Sequence, residues 1–527
     1  MNWFANLLLF NFLLTGLNYT AFAAKKKSKE ITVKQETTEI GIHKITGKSI
    51  SANTHIFSER IHSFQYDSSK NDISVSTRGL SRNKKWLDSK GDFLWYDLAS
   101  SAIEWSKELN YNSHRITCND GLIVHSIGSK TYLLNDSTGE RTLEINNRII
   151  YTDKRHHIAL AYQKPVTIHS EKDILSGINI KTGKKLWERV VPREFGWNGV
   201  HNLNDSNILI LSDGMHSINL FTGKGWDKAI STGKKDYTRA AVTNGLGVAA
   251  GLLTGTFVTS GGADILTGLV SNVIIDSTLI YWAGKESLIC VSFEGETIWR
   301  TPLEEKITSA SWIIQRGKQL YLINKGSAKL GYREVPFGEA YLASFDLESG
   351  TQNYLVKPSF EKKQKINTFH ADDSLIVLAS SDRLNSYNLA KGERLNNLMS
   401  NNTSTTNFSF FVSGSLYLKE DSTFAELSNL ETDSIFLFDS NGNLIILNND
   451  LDRLNVHDSK TVFFKSHETD KFTLLQNSEN VMIAIDSNSN TIVDFKVGRQ
   501  SVVSGDKLFT AVENSLMEID LNQFNSN

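Results

Sequence analysis

The stretch "INIKTGKKLW", Ile178 to Trp187, decides the fold. Asn179 is followed four positions later by Gly183 and eight positions later by Trp187. An alternating apolar run ends at the Asn, whose side chain can hydrogen-bond the backbone two residues on; the Gly then supplies the positive φ that a tight hairpin requires. The outgoing strand presents the Trp, a ring large enough to bury roughly 150–250 Å² against a neighbouring unit.

The same ruler fits elsewhere in the chain. "YDLASSAIEW" places Asp97, Ser101 and Trp105 on it, and "LNDSTGERTL" places Asn135, Gly139 and Leu143. "INLFTGKGWD" gives Asn219 and Gly223 with Trp226 one place early, and "VSFEGETIW" gives Val291, Gly295 and Trp299. "FDLESGTQNY" gives Asp346, Gly350 and Tyr354; "YNLAKGERLN" gives Asn388, Gly392 and, one place early, Leu395; a degenerate copy lies at Asp486 and Asn490. Most copies are preceded by another strand pair, as in "NILILSDGMHSINL", so each unit supplies about four short antiparallel strands. Steps of 38, 44, 40, 72, 55, 42 and 98 residues separate the first positions. The step of 98 hides a weak unit around "SIFLFDSNGNLIIL", and the step of 55 holds a loop near "KGSAKLGYREVPFGEA".

Repeated four-stranded units bury both faces when arranged radially, so an all-β, antiparallel β-propeller is expected over residues 61–527. The expected blade count is eight, within a range of seven to nine. "KLFTAVENSLMEIDL" near the C-terminus reads as strands of a blade completed by the N-terminal segment 24–60, a closure that removes open edges.

The core of the repeat, Asp/Asn-x-x-[Ser/Thr]-Gly-[Lys/Glu]-x-x-Trp as in Asn179 to Trp187, resembles the tryptophan-docking motif of PQQ-like propellers, from about Asp97 to the C-terminus. One branch of that family, the quinoprotein alcohol and sugar dehydrogenases, implies a quinone, a Ca²⁺ ion and an Asp base. No residue here matches those positions, and Cys118 and Cys290 are not adjacent. The resemblance is closer to the non-catalytic branch, which includes the outer-membrane-assembly propeller lipoprotein. It implies a protein-interaction scaffold of the bacterial cell envelope, with no cofactor, no metal and no catalytic residue. A PQQ-dependent dehydrogenase and a carbohydrate-binding propeller, the latter suggested by ten tryptophans, are the alternatives.

The step of 72 contains "AAVTNGLGVAAGLLTGTFVTSGGA", Ala240 to Ala263, without one charge. Gly245, Gly247 and Ala250 satisfy a dinucleotide fingerprint, but the flanking units are antiparallel and offer no strand–turn–helix context. Gly247, Gly251 and Gly255 form the spacing that lets helices approach in lipid. The reading favoured is an apolar insertion between blades, with a peripheral membrane contact or a partner-docking role as the functional alternatives.

Bulk composition narrows the partners. Fifty-six basic against 58 acidic side chains and no basic run beyond Lys25 to Lys27 exclude a phosphate-backbone footprint. Cys118 and Cys290 lie far apart with no Cys/His cluster, so buried free thiols are expected. His156 and His157, read as part of a strand, would point to opposite faces. The apolar run from Phe4 to Leu17 and Ala21-Phe22-Ala23 read as a signal peptide, residues 1–23. Export to the periplasm or outer membrane as a monomer follows, without a lipoprotein anchor because no cysteine lies near the cut. The alternative is an uncleaved anchor with the domain in the cytoplasm, favoured by the lysines after the apolar run.

Overall fold

The computed structural model of this chain describes residues 31–525, apart from 164–172, 193–198, 230–270, 305–307, 361–363, 400–407, 429–433 and gaps of one or two residues. The expected signal segment 1–23 and the insertion 240–263 lie outside the described residues. What is described is almost all antiparallel strand, with two short 3₁₀ turns at Ser459–Thr461 and Leu521–Phe524.

The strands form ten sheets. Blade 1 is built from Ile61–Asp67, Asp72–Leu80, Leu87–Asp97 and Ala102–Asn110, here called its strands a, b, c and d. Blades 2 to 7 repeat this meander and reach strand d of blade 7 at Arg394–Met399. Blade 8 comprises Phe408–Val412, Ile435–Asp439, Leu444–Leu447 and Arg453–His457, and blade 9 comprises Val462–Glu468, Thr473–Asn477, Val481–Ile485 and Thr491–Lys496. Blade 10 joins both ends of the chain. Its strands a to c are Ser501–Ser504, Lys507–Val512 and Ser515–Asp520; Ser49–Phe57 pairs with the last of these, and Val33–Ile42 adds a fifth strand outside it.

A shared apolar cluster spans nearly every junction, which closes the units into a propeller. Leu375, Val377, Ile435 and Leu437 unite blades 7 and 8; Leu474, Met482, Leu508 and Ile519 unite blades 9 and 10; Phe57, Phe509, Ile73 and Tyr96 unite blades 10 and 1. Six of the other seven junctions are filled in the same way, all but the one between blades 8 and 9. The fold class is as expected, but the blade count of eight is not. The repeat ruler needs Asx and Gly at the c–d turn. Blade 8 turns instead through Asn448 and Leu451, the latter at φ 64°, and blade 10 crosses from Asp520 to the N-terminal strands, so neither registered as a copy.

The turn chemistry is that of the motif. Asn179 Oδ1 accepts from the backbone N–H groups of Lys181 and Thr182, both at 3.0 Å, and Gly183 sits at φ 70°. In five units the strand-d ring lies on the turn glycine of the next. A Cβ on Gly223 would fall 2.6 Å from the Trp187 ring, and the Trp187 indole N–H donates to the Leu220 carbonyl at 2.6 Å. Trp105 covers Gly139, Trp226 covers Gly295, Trp299 covers Gly350 and Tyr354 covers Gly392, each with a ring N–H or O–H donated to a backbone carbonyl beside that glycine. Leu143 takes this place on Gly183.

Blades 8 and 9 are joined differently. The hairpin Ser415–Glu420 and Thr423–Ser428 leaves blade 8 between its strands a and b and pairs with strand a of blade 9. Leu416 and Leu418 pack on Phe436 and Phe438 of blade 8, while Tyr417 and Phe424 pack on Phe463, Leu475 and Ile483 of blade 9. The resulting six-stranded sheet rolls until its diagonal corners meet, Thr423 bridging to Asn490.

Ring-on-glycine packing makes a differential prediction. Gly223→Ala combines strain at positive φ, about 1–2 kcal/mol, with a clash against Trp187 that adds about 1–3 kcal/mol. Gly505→Ala, at φ 59° with nothing within 4 Å of the added carbon, carries only the first term. Urea midpoints of the two variants should differ accordingly, and equal midpoints would mean the ring contact contributes little.

Candidate functional site

Strand alternation sorts the loops. Because a, b, c and d run antiparallel, the b–c loops and the d-to-a connectors between blades open on one face of the propeller, and the Asx turns on the other. The connector face carries the irregular features. Loop 81–86 of blade 1 holds Trp86, 72% exposed and pinned by the Ser81 N–H donating to its carbonyl at 2.8 Å. Blade 6 extends its strands b and c, Gln319–Leu330 and Arg333–Asp346, as one long hairpin that bends at Gly326 (φ 71°). The loop expected around 325–340 is therefore largely a strand extension, whose backbone pairing resumes past the bend. The described chain stops after Asp227–Ala229 of blade 4 and resumes at Ser271 before blade 5, both ends on this face.

The strand from which that connector departs is clamped. Arg189 of blade 3 reaches Asp227 at 2.6 Å and donates to the Ser217 and Gly223 carbonyls at 3.0 and 3.2 Å. His216, in strand c of blade 4, holds the same carboxylate through Nδ1 at 2.6 Å. Burial lowers the His216 pKa against the pull of Asp227. Burial alone would raise Asp227, but Arg189 and His216 outweigh it and hold the carboxyl below its usual range.

A second buried polar group lies at the junction where the chain ends meet. His55, fully buried on Ser49–Phe57, shares a 2.8 Å hydrogen bond with the Tyr96 hydroxyl of blade 1. Its other ring nitrogen lies 3.9 Å from Glu518, and Lys507 approaches the same carboxylate at 2.5 Å. The His55 and Lys507 side chains together hold the Glu518 carboxyl down at about 2, against the opposing effect of burial. At 3.9 Å the imidazole contact is too long for a hydrogen bond, so Lys507 is the firmer partner. These residues come from four strands at opposite ends of the chain, and no local sequence signal announced them.

The residues singled out in the sequence fall mostly into structural places. Cys118 and Cys290 are buried and not joined in a disulfide, and burial raises the Cys290 thiol to about 11. His156 and His157 do not lie in a strand; they form the turn after Arg148–Asp153, where His156 contacts Asp153 at 3.1 Å and His157 adopts φ 54°. Trp95, Trp105, Trp187 and Trp282 are buried, so the rings that suggested carbohydrate binding serve mainly as packing. Among the described residues no group of three or more His, Cys, Asp or Glu is placed to hold a metal ion, and no helix is long and apolar enough to cross a membrane.

Comparison of the sequence with protein-family models and with curated proteins finds no match. Among solved structures, BamB from Moraxella catarrhalis is similar at 12% identity and a TM-score of 0.30, over 72% of this chain and 96% of that one. The C-terminal WD40 domain of Sif2 is similar at 11% identity and 0.30, over 79% and 97%. The computationally designed Ika8 protein is similar at 7% identity and 0.32, over 71% and 98%. At these values the comparisons carry no functional argument.

Glu518 sets an acid limit on closure. Its folded pKa lies below the unfolded value, so its contribution is fully present above about pH 4.5 and is lost as pH falls toward about 2, an effect of about 2–3 kcal/mol. Urea unfolding of the parent chain should weaken across that window. Glu518→Gln should be less stable at pH 7 and lose less on acidification; parallel pH profiles would show that this carboxylate does not govern closure.

Proposed function

We propose that the chain is a non-catalytic propeller of the PQQ-like type, acting as a protein-interaction scaffold in the bacterial cell envelope and presenting its connector face to a protein partner. The observation that supports this most directly is at the junction of blades 4 and 5. Trp226 lies on Gly295, and its indole N–H reaches the Phe293 carbonyl at 2.7 Å, although the 41 positions 230–270 intervene. Leu209, Leu211, Ile280 and Trp282 fill the same junction. The described residues already fill that junction, and a 24-residue uncharged stretch at 240–263 calls for a further reason. Partner contact is a reason, since large contiguous apolar surface on a soluble domain usually marks an interaction site.

The experiment is affinity capture from envelope extracts with the full chain and with a chain lacking residues 240–263. Loss of a captured protein on deletion, with an unchanged thermal midpoint, is the expected result. Identical capture by both chains would reduce the insertion to architecture. The non-catalytic part of the reading has its own check: reconstitution with PQQ and Ca²⁺ should give no dye reduction on alcohols or sugars.

A further inference from the structure

The junction between blades 9 and 10 lacks an aromatic ring at the docking position of strand d, its one ring there, Phe495, packing on Phe524 instead. On Thr491–Lys496 the place is taken by Val493, against Gly41 of the fifth strand, where an added Cβ would fall 2.7 Å from the valine. Lys44 pairs with Asp494 at 2.7 Å beside it. These contacts hold the turn-face side of the junction together. Toward the connector face, among the described residues, a cleft of about 480 Å³ lies between the two blades. That volume falls in the range typical of small-ligand sites, roughly 300–1,000 Å³.

We propose that this cleft binds short zwitterionic peptides with apolar side chains. Its apolar surface comes from Ile40, Ile56, Phe495 and Met517. Both signs of charge also line it, Lys496 from blade 9 against Glu513 and Glu36 from blade 10. Glu36 is engaged by Lys34 at 2.7 Å, whereas neither Lys496 nor Glu513 is in an ion pair among the described residues. A further group lacks a partner: Thr54, 4% exposed and lining the cleft, has a hydroxyl with no hydrogen-bond partner among the described residues. Its oxygen is itself closed to solvent, so the hydroxyl marks an unanswered polar group in the cleft wall rather than a direct contact.

Charge selects the ligand class. An organic anion or a polyphosphate would meet two carboxylates, a simple cation would meet Lys496, and a neutral apolar molecule would leave all three charges partly desolvated without compensation. A short peptide carries an ammonium, a carboxylate and apolar side chains on one small frame, and so answers Glu513, Lys496 and the apolar surface together.

The test is isothermal titration calorimetry of the full chain with a dipeptide of two leucines and with its N-acetylated, C-amidated and doubly blocked forms. Saturable binding of the free dipeptide is expected, weakened about tenfold by blocking either end, the size of one charge-assisted contact. Lys496→Gln should abolish the effect of amidation, and Glu513→Gln the effect of acetylation. Both residues are exposed, so the fold should survive either change, and a matching thermal midpoint checks this. Thr38→Phe, which fills the cleft from the half-buried face of the fifth strand, should remove binding without touching a charge. No saturation at about 10 mM, equal binding of the doubly blocked form, or binding unchanged in all three variants would each overturn the proposal.

Discussion

An aromatic ring resting on a bare glycine is the contact on which the rest of this propeller depends. A four-stranded sheet cannot bury both of its faces, and a ring of sheets holds only if each junction fixes both spacing and angle. Trp187 on Gly223 does both. The glycine must lack a Cβ because the indole occupies that position, and it must adopt φ 70° because the hairpin turns there. One residue thus answers a turn requirement and a packing requirement at once. The indole N–H donated to Leu220 then sets the rotation of one blade on the next, since a hydrogen bond is directional where apolar contact is not.

Junctions 2/3 and 7/8 lack the ring but keep the meander, whereas the last three junctions are where the chain departs from its own pattern. Between blades 8 and 9 a hairpin is inserted as a wedge, supplying from Leu416, Leu418, Tyr417 and Phe424 the apolar surface that a single ring supplies elsewhere. Between blades 9 and 10 a valine and an ion pair substitute, and the space they leave is the cleft. In blade 10 the ends of the chain are locked through His55, Glu518 and Lys507, a buried polar group that only makes sense once Ser49–Phe57 has paired with Ser515–Asp520, and His55 carries it across to Tyr96 of blade 1. A buried charge cluster of this kind is costly when incomplete. It therefore favours the one register in which all its partners arrive together.

The same division explains what could be read from the sequence. Asn179, Gly183 and Trp187 are close in sequence because hairpin and docking ring are local to one strand pair, so the fold class was legible from ten residues. Blade 8 showed only as a weak unit because Leu451 occupies the positive-φ position that Gly usually marks, and the tertiary structure imposes that conformation on it. The wedge hairpin was hidden because its strands pair with a blade that begins more than thirty residues later, from Ser415 to Val462. The candidate cleft was less legible still, because its walls come from residues 36–56 and 495–517 and meet only on ring closure.

The asymmetry bears on how such a ring acquires function. Blades 1 to 7 follow the repeat closely, and the longest interruption among them, at 230–270, leaves the Trp226–Gly295 junction unaltered. A docking ring of this kind isolates the connector from the core: whatever is added between strand d and the next strand a has no effect on the contact that joins the blades. The last three junctions have no such isolation, and there the irregular elements are themselves the join. Changes on the connector face of the early blades are therefore free to track a partner, whereas changes around the closing blades alter stability as well, and any ligand in the cleft between blades 9 and 10 would act on closure directly.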